Sequence, residues 1–206
     1  MPYHAQDIRT AILHLRRSDP TMKEIIRRVG PFTLKTHADR FLLLVRSIIS
    51  QQISVSAAKS ILAKLEAALA PAKISPQSLC GYEPATLRPL GVSPQKAGYI
   101  MDLRDRALSG ELQLARVSRM TDEAAIEHLV QIKGIGTWTA QMFLIFGLGR
   151  LDIMPHGDLG IQVAIRKNYG LRTNPKPKRI DRLAAAWRPY CSIASWYLWQ
   201  TLDNNN

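Results

Sequence analysis

The chain has 206 residues, 46% of them hydrophobic, enough for a sizeable core in one compact unit or two packed lobes. Lys and Arg number 28 against 16 Asp and Glu, a formal net charge of +12 that points to a polyanionic partner. No apolar run approaches the roughly 20 residues of a membrane span, and Met1-Pro2-Tyr3-His4 begins no signal-peptide pattern. Cys80 and Cys191 are isolated, which supports neither a zinc site nor an iron–sulfur cluster; two reduced, partly buried thiols in an intracellular protein are expected.

Helical period dominates in chain order. The first 34 residues read as largely helical. Phe41, Leu44, Val45, Ile48 and Ile49 fall at helical spacing, as do Ala57, Ile61, Leu62, Leu65 and Leu69 beyond a break at Ser54–Ser56. Pro71, Pro76, Pro84, Pro89 and Pro94 divide the next stretch into short turns and helices. A helix is predicted from Pro94 or Gln95 to Leu108, ending near Gly110. Thr121 can cap another, with Asp122 and Glu123 matched to the positive end of its dipole and Ala125, Leu129, Val130 and Ile132 on its buried face. Thr137 opens a further helix through Ala140, Phe143, Leu144 and Phe146, stopping at Gly147. Helices are predicted near 158–169, 179–187 and 190–202, with Asn174–Lys178 as a loop and Asn204–Asn206 as a frayed end. No strand-rich segment, repeat or long linker interrupts this pattern, so the predicted fold is all-α. Basic residues recur in Arg16-Arg17, Arg27-Arg28, Arg104 with Arg106, Arg166-Lys167 and Lys176-Pro177-Lys178-Arg179, which reads as a basic face, not a basic tail.

Two local features carry chemistry. Gly134-Ile135-Gly136 joins two helical stretches, and a helix starting directly after such a turn points backbone N–H groups outward as an anion site. An ordinary helix hairpin with a glycine turn would look the same. Asp158, after Gly157 and before Leu159-Gly160-Ile161-Gln162, reads as a helix N-cap and stands 22 residues past Gly136. Asp152, six residues earlier, reads as a cap or loop tie.

Ile48-Ile49-Ser50-Gln51-Gln52-Ile53-Ser54 with Ala57-Ala58, Leu90-Gly91-Val92-Ser93 with Lys96-Ala97, the Leu129–Ala140 hairpin, Asp152–Gln162, and Trp187-Arg188-Pro189-Tyr190 leading to Trp199 resemble the helix-hairpin-helix DNA glycosylases, in the 3-methyladenine DNA glycosylase II (AlkA-like) branch. The likeness covers roughly residues 35–202. It implies a single glycosylase unit over 1–206, built as two closely packed helical lobes with the active site in their cleft and the helix-hairpin-helix at about 122–147. The N-terminal β-sheet domain of some relatives is expected to be absent.

The resemblance further implies that Asp158 is the catalytic carboxylate, at the spacing the family uses. Trp138, Met142 and Trp199 would line the base pocket, while Trp187 and Trp196 read as core. DNA contacts would come from Gln51, Gln52, Ser54, Lys96, Lys133, Gly134, Ile135, Gly136 and Thr137, with Lys133 standing where relatives often carry proline. Ser50-Gln51-Gln52-Ile53 matches the stretch that fills the gap left by a flipped base; Gln52 is the first choice, though both glutamines could instead bond loop backbone. No cofactor is expected and no side-chain metal site; a monovalent cation at the backbone of Ile132 and Gly134 is implied. The implied reaction is hydrolysis of the N-glycosidic bond of alkylated purines (3-methyladenine, 7-methylguanine) in double-stranded DNA. The protein would act as a monomer, away from membranes, in the cytoplasm or nucleoid, or in the nucleus if eukaryotic.

Two other readings remain open at this point. A non-catalytic helix-hairpin-helix DNA-binding module needs only the hairpin and the charge. A bifunctional glycosylase/lyase of the endonuclease III type usually carries four clustered cysteines and a lysine nucleophile, and here Trp138 stands at the lysine position.

Overall fold

The computed structural model describes residues 3–203. Its α-helices are α1 (Ala5–Ser18), α2 (Pro20–Val29), α3 (Arg40–Ser50), α4 (Val55–Leu69), α5 (Pro84–Leu87), α6 (Pro94–Ser109), α7 (Leu114–Val117), α8 (Asp122–Leu129), α9 (Thr137–Phe146), α10 (Leu159–Asn168), α11 (Pro177–Ala184) and α12 (Cys191–Asp203). A short 3₁₀ turn, Arg88–Leu90, follows α5. Among the described residues there is no strand, in keeping with the all-α reading. Asn204–Asn206, expected to fray, lie outside the described residues. Helix α7 is an addition to the predicted set, because four residues are too few to display a 3.6-residue period.

Local chemistry explains where the helices begin. Asp19, Asp39, Ser54, Ser93, Thr121 and Asp158 each accept a backbone N–H three residues on, capping α2, α3, α4, α6, α8 and α10. Proline opens α2, α5, α6 and α11, where its missing N–H has no partner to lose.

The chain divides into two compact units, one running from His37 to Phe143 and one made of residues up to Thr36 with those from Leu144 on. In the chain-end unit, α12 packs on α1, α2 and α10. Leu15, Met22, Ile25, Ile161, Ile165, Trp187 and Tyr197 fill its core, and Trp196 is also buried. Asp19 is buried there and accepts hydrogen bonds from Trp187 Nε1 (2.8 Å) and the Tyr169 hydroxyl (2.6 Å), while capping Met22. Burial, reinforced by the Asp19 carboxylate, pushes the Tyr169 hydroxyl far above the ordinary phenol range. Asp152 accepts from Arg188 Nη1 (2.7 Å) and the Cys191 amide (3.2 Å), which ties its loop to the start of α12.

In the middle unit α3 packs on α4 and α6, and α5 on α6. Leu44, Ile48, Leu65, Leu87, Ile100, Leu129 and Phe143 are buried in this segment. The two cysteines are free; Cys191 is buried, but Cys80 is exposed, not partly buried as expected. It sits in a run of turns between Pro76 and Pro84 that buries the adjacent Leu79 and leaves Cys80 on the outer side.

Candidate active site and nucleic-acid interface

The hairpin is built from α8, a tight turn and α9. Thr121 Oγ1 accepts the Ala124 amide at 3.3 Å, and Ala125, Leu129 and Ile132 are buried as the apolar spacing predicted. The Ile132 carbonyl then accepts the Ile135 amide at 3.0 Å to close the turn. Ile135 is 3% exposed and serves as the apolar peg of that turn.

The two glycines differ in kind. Gly134 has φ +82°, and a Cβ there would lie 2.2 Å from the Tyr99 ring, so both conformation and packing exclude a side chain. Gly136 has no such constraint: a Cβ would meet nothing within 4 Å. The turn itself therefore excludes a side chain at the first glycine alone. At Gly136 nothing within the protein calls for glycine, whereas a ligand approaching the backbone closely would. Gly136 is exposed, and its carbonyl accepts the Ala140 amide at 3.0 Å as α9 begins. Helix α9 begins directly after it, at Thr137, so the N-terminal end of the helix lies next to the turn. Asp102 fixes the other side of the turn through the Lys133 amide (3.0 Å) and Arg106 Nε (3.0 Å), with the exposed Lys133 ammonium 3.9 Å away.

Gln51, Gln52 and Lys96 border the hairpin, and together with Trp138 they line a concavity of about 610 Å³. Their orientations distinguish them. Gln51 Nε2 donates to the Gly134 carbonyl at 2.8 Å, so this side chain is part of the hairpin's support. Lys96 Nζ donates to the carbonyls of Ile49 (2.8 Å) and Gln51 (2.6 Å), closing the C-terminal end of α3. Loss of hydration there lowers the lysine pKa. Gln52 is exposed and has φ +56°, the one left-handed residue other than glycine among those described. Ser54 Oγ caps α4 through the Ala57 amide (3.2 Å). Thr137 and Trp138 are exposed on the first turn of α9, Trp138 by 47%, while Met142, one turn on, is buried.

The carbonyls expected to hold a monovalent cation, Ile132 and Gly134, each already receive one N–H. Each keeps a second lone pair, so an ion fits only as an additional partner. Among the described residues no cluster of His, Cys, Asp or Glu could hold a metal.

In the chain-end unit, Asp158 has φ −75° and ψ 116° and stands at the N-terminus of α10. Its Oδ1 accepts two hydrogen bonds, from the Ile161 amide (2.8 Å) and Trp199 Nε1 (3.0 Å). The Trp199 indole in turn stacks on Phe146, with centroids 5.7 Å apart and planes inclined by 27°. A Cβ on Gly160 would come within 3.0 Å of Asp158 Oδ1 and 3.3 Å of Trp199 Cδ1, so the absence of a side chain there leaves room for the pair. The carboxylate is thus held in one orientation by a helix end and an indole. Trp138 and Met142 belong to the middle unit and Asp158, Trp199 and Phe146 to the chain-end unit.

Residues 45–189 match the model of the HhH-GPD superfamily of base excision DNA repair proteins. The chain belongs to that superfamily. Over 199 residues it is 32% identical to the alkylbase DNA glycosidase-like protein mag2 of Schizosaccharomyces pombe, covering 94% of this chain and 93% of that one. The S. pombe 3-methyladenine DNA glycosylase, solved in complex with abasic DNA, matches with a TM-score of 0.83 and 28% identity over 94% of this chain and 97% of that chain. A DNA-3-methyladenine glycosidase from Bacillus halodurans matches with a TM-score of 0.85 and 33% identity, over 95% and 91% of the two chains. The resemblance read from the sequence agrees with these findings.

Sequence reasoning missed Phe146, Gly160, Tyr99 and Asp102. Gly160 and Phe146 had been noticed only as a neighbour of Asp158 and as an apolar helix position. For Tyr99 and Asp102, no local pattern in this HhH-GPD chain signals contact with a turn more than 30 residues away.

Proposed function

We propose that this HhH-GPD protein is a monofunctional DNA glycosylase that removes alkylated purines such as 3-methyladenine and 7-methylguanine from double-stranded DNA. The observation that carries the reading is Asp158, anchored through one oxygen by the Ile161 amide and the Trp199 indole. A pure binding hairpin needs neither a fixed carboxylate nor an aromatic pair beside it. The names of the matched relatives, alkylbase and 3-methyladenine glycosylases, favour the same substrate class.

The chemistry asks little of the protein. An N-alkylated purine already carries positive charge and leaves C1′ without a general acid. The sugar develops oxocarbenium character, and a preorganised anion beside C1′ stabilises it. The same carboxylate can orient or deprotonate the attacking water. Stacking on Trp199 favours an electron-poor base through cation–π attraction of about 0.5–2 kcal/mol. The target must leave the duplex stack, at a cost of a few kcal/mol.

Gln52 is the residue we assign to the vacated gap. Gln51 is committed to Gly134, whereas Gln52 is exposed and held in a backbone conformation typical of functional strain. Gly136 and the first turn of α9 would grip a phosphate, with Thr137, the Lys133 charge and, if bound, a monovalent ion on the turn carbonyls adding to the potential. Lys96 acts from behind, holding the loop that presents Gln52. The two units serve as one glycosylase, acting as a monomer.

The decisive experiment is to incubate the protein with methylated duplex DNA and identify released bases by chromatography. Release of 3-methyladenine and 7-methylguanine is expected. Binding without release of any base would leave only the binding-module reading.

A further inference from the structure

The loop before α11 and its exposed side form a concavity of about 630 Å³ lined by Asn174, Lys176, Lys178, Arg179 and Arg182 with three other residues, none of them acidic. All four cations are exposed, and none makes an ion pair or side-chain hydrogen bond. Asp181, the single carboxylate of α11, is bonded to His156. The opposite side of the helix, Ile180 and Ala184, is buried in the core.

This placement of charge works against the helix that carries it. Lys176 is the N-cap residue and supplies no side-chain cap, and Lys178 and Arg179 sit in the first turn, at the positive end of the dipole. Arg182 stands three and four residues beyond Arg179 and Lys178, where like charges repel on one helix face. A face arranged only for solubility would place acids here. A polyanion laid across it reverses the sign of every one of these terms. From Lys176 to Arg182 the helix advances about 9 Å at 1.5 Å per residue, the axial span of about three phosphates of one DNA strand.

The same helix is bonded to the Asp158 loop. Asp181 holds His156, two residues before Asp158, and Gln162 Nε2 donates to the His156 carbonyl at 2.9 Å. The hairpin belongs to the middle unit, whereas α11 and Asp158 share the chain-end unit. We infer that the Lys176–Arg182 face is a second anchor for the DNA phosphate backbone, giving the unit that bears the carboxylate a grip of its own. The proposal rests on the glycosylase reading only for the identity of the polyanion.

The test compares a Lys176→Gln/Lys178→Gln/Arg179→Gln/Arg182→Gln variant of the full chain with a control losing the same charge elsewhere, at the exposed Lys23, Lys35, Lys64 and Lys73. Binding to undamaged duplex DNA is followed by fluorescence anisotropy from 50 to 200 mM salt. At about 0.9 unit of log K against log[salt] per phosphate contact, the slope should fall by about two to three units in the α11 variant and by less than one in the control. The melting temperature of the α11 variant should hold or rise, since the removed charges oppose the dipole; the Arg179→Gln/Arg182→Gln pair alone should give about half the slope change. Equal slopes in the two four-site variants would overturn the proposal, as would unchanged DNA binding with lost affinity for an acidic protein. The duplex is undamaged, so failure here leaves the excision chemistry untouched, and absence of excision leaves this result standing.

Discussion

Replacing Asp158 by asparagine separates the charge of this side chain from its hydrogen bonds. The amide oxygen of asparagine can still accept from the Ile161 amide and Trp199 Nε1, now at 2.8 and 3.0 Å from Oδ1. Asn and Asp are comparable N-caps, so Asp158→Asn should change stability by less than about 0.5 kcal/mol. Asp158→Ala removes the acceptor as well, losing the cap (about 1 kcal/mol) and leaving the indole N–H without that partner, a further 1 kcal/mol or so. At this chain length that is a fall of about 4–8 °C in Tm for alanine and 1–2 °C at most for asparagine. Base release should fall in both variants alike, by about 100- to 1000-fold, the 2.7–4 kcal/mol typical of one preorganised electrostatic group. Single-turnover release of 3-methyladenine from methylated duplex, beside thermal melts, reads both quantities. Asp158→Asn retaining more than a tenth of the wild-type rate, or proving as unstable as Asp158→Ala, would refute the argument.

Trp199→Phe keeps an aromatic face for stacking but removes the donor to Asp158; kcat should drop about tenfold with KM little changed, whereas Trp199→Ala should raise KM as well, and a full rate for Trp199→Phe would show the indole N–H to be idle. Gly134→Ala should destabilise the fold by 2 kcal/mol or more through the Tyr99 ring, seen as a lower Tm, whereas Gly136→Asp should leave Tm within a few degrees and weaken binding to damaged and undamaged duplexes about equally. Affinity unaffected by Gly136→Asp would remove the hairpin as an anchor. With Trp138 where lyases carry their lysine, borohydride added during turnover should trap no protein–DNA adduct, and strands should break only after alkali; an adduct abolished by replacing one lysine would establish a Schiff base instead.

The hairpin, the cap at Thr121 and the helix starting at Asp158 were legible because each is a local pattern of period, cap and glycine. Asp158 was singled out by the family resemblance, which expects a carboxylate 22 residues past Gly136. What the sequence did not disclose is which way loop side chains turn. The resemblance placed Gln51 and Lys96 among the DNA contacts; it gave no sign that their side chains bond to carbonyls 83 and 45–47 residues away in the chain. Ile135 lies inside a motif of exposed backbone but points into the core. The bond from Trp199 to Asp158 spans 41 residues and depends on a missing side chain at Gly160, information carried by packing and by no periodicity. Trp187 and Trp196, by contrast, could be set aside as core at once, and both are buried.

The two units are threaded differently. The middle one is an uninterrupted stretch of chain, while the one holding Asp158 needs both ends, and Trp199 lies in the final helix. During synthesis the growing polypeptide therefore completes the hairpin while the carboxylate still lacks its indole partner. At roughly 5–20 residues per second, the interval between the emergence of Phe143 and of Trp199 is about 3–11 s. For that time a nascent molecule has its hairpin but not the indole that bonds Asp158, and any premature stop before Trp199 yields a chain of the same incomplete kind.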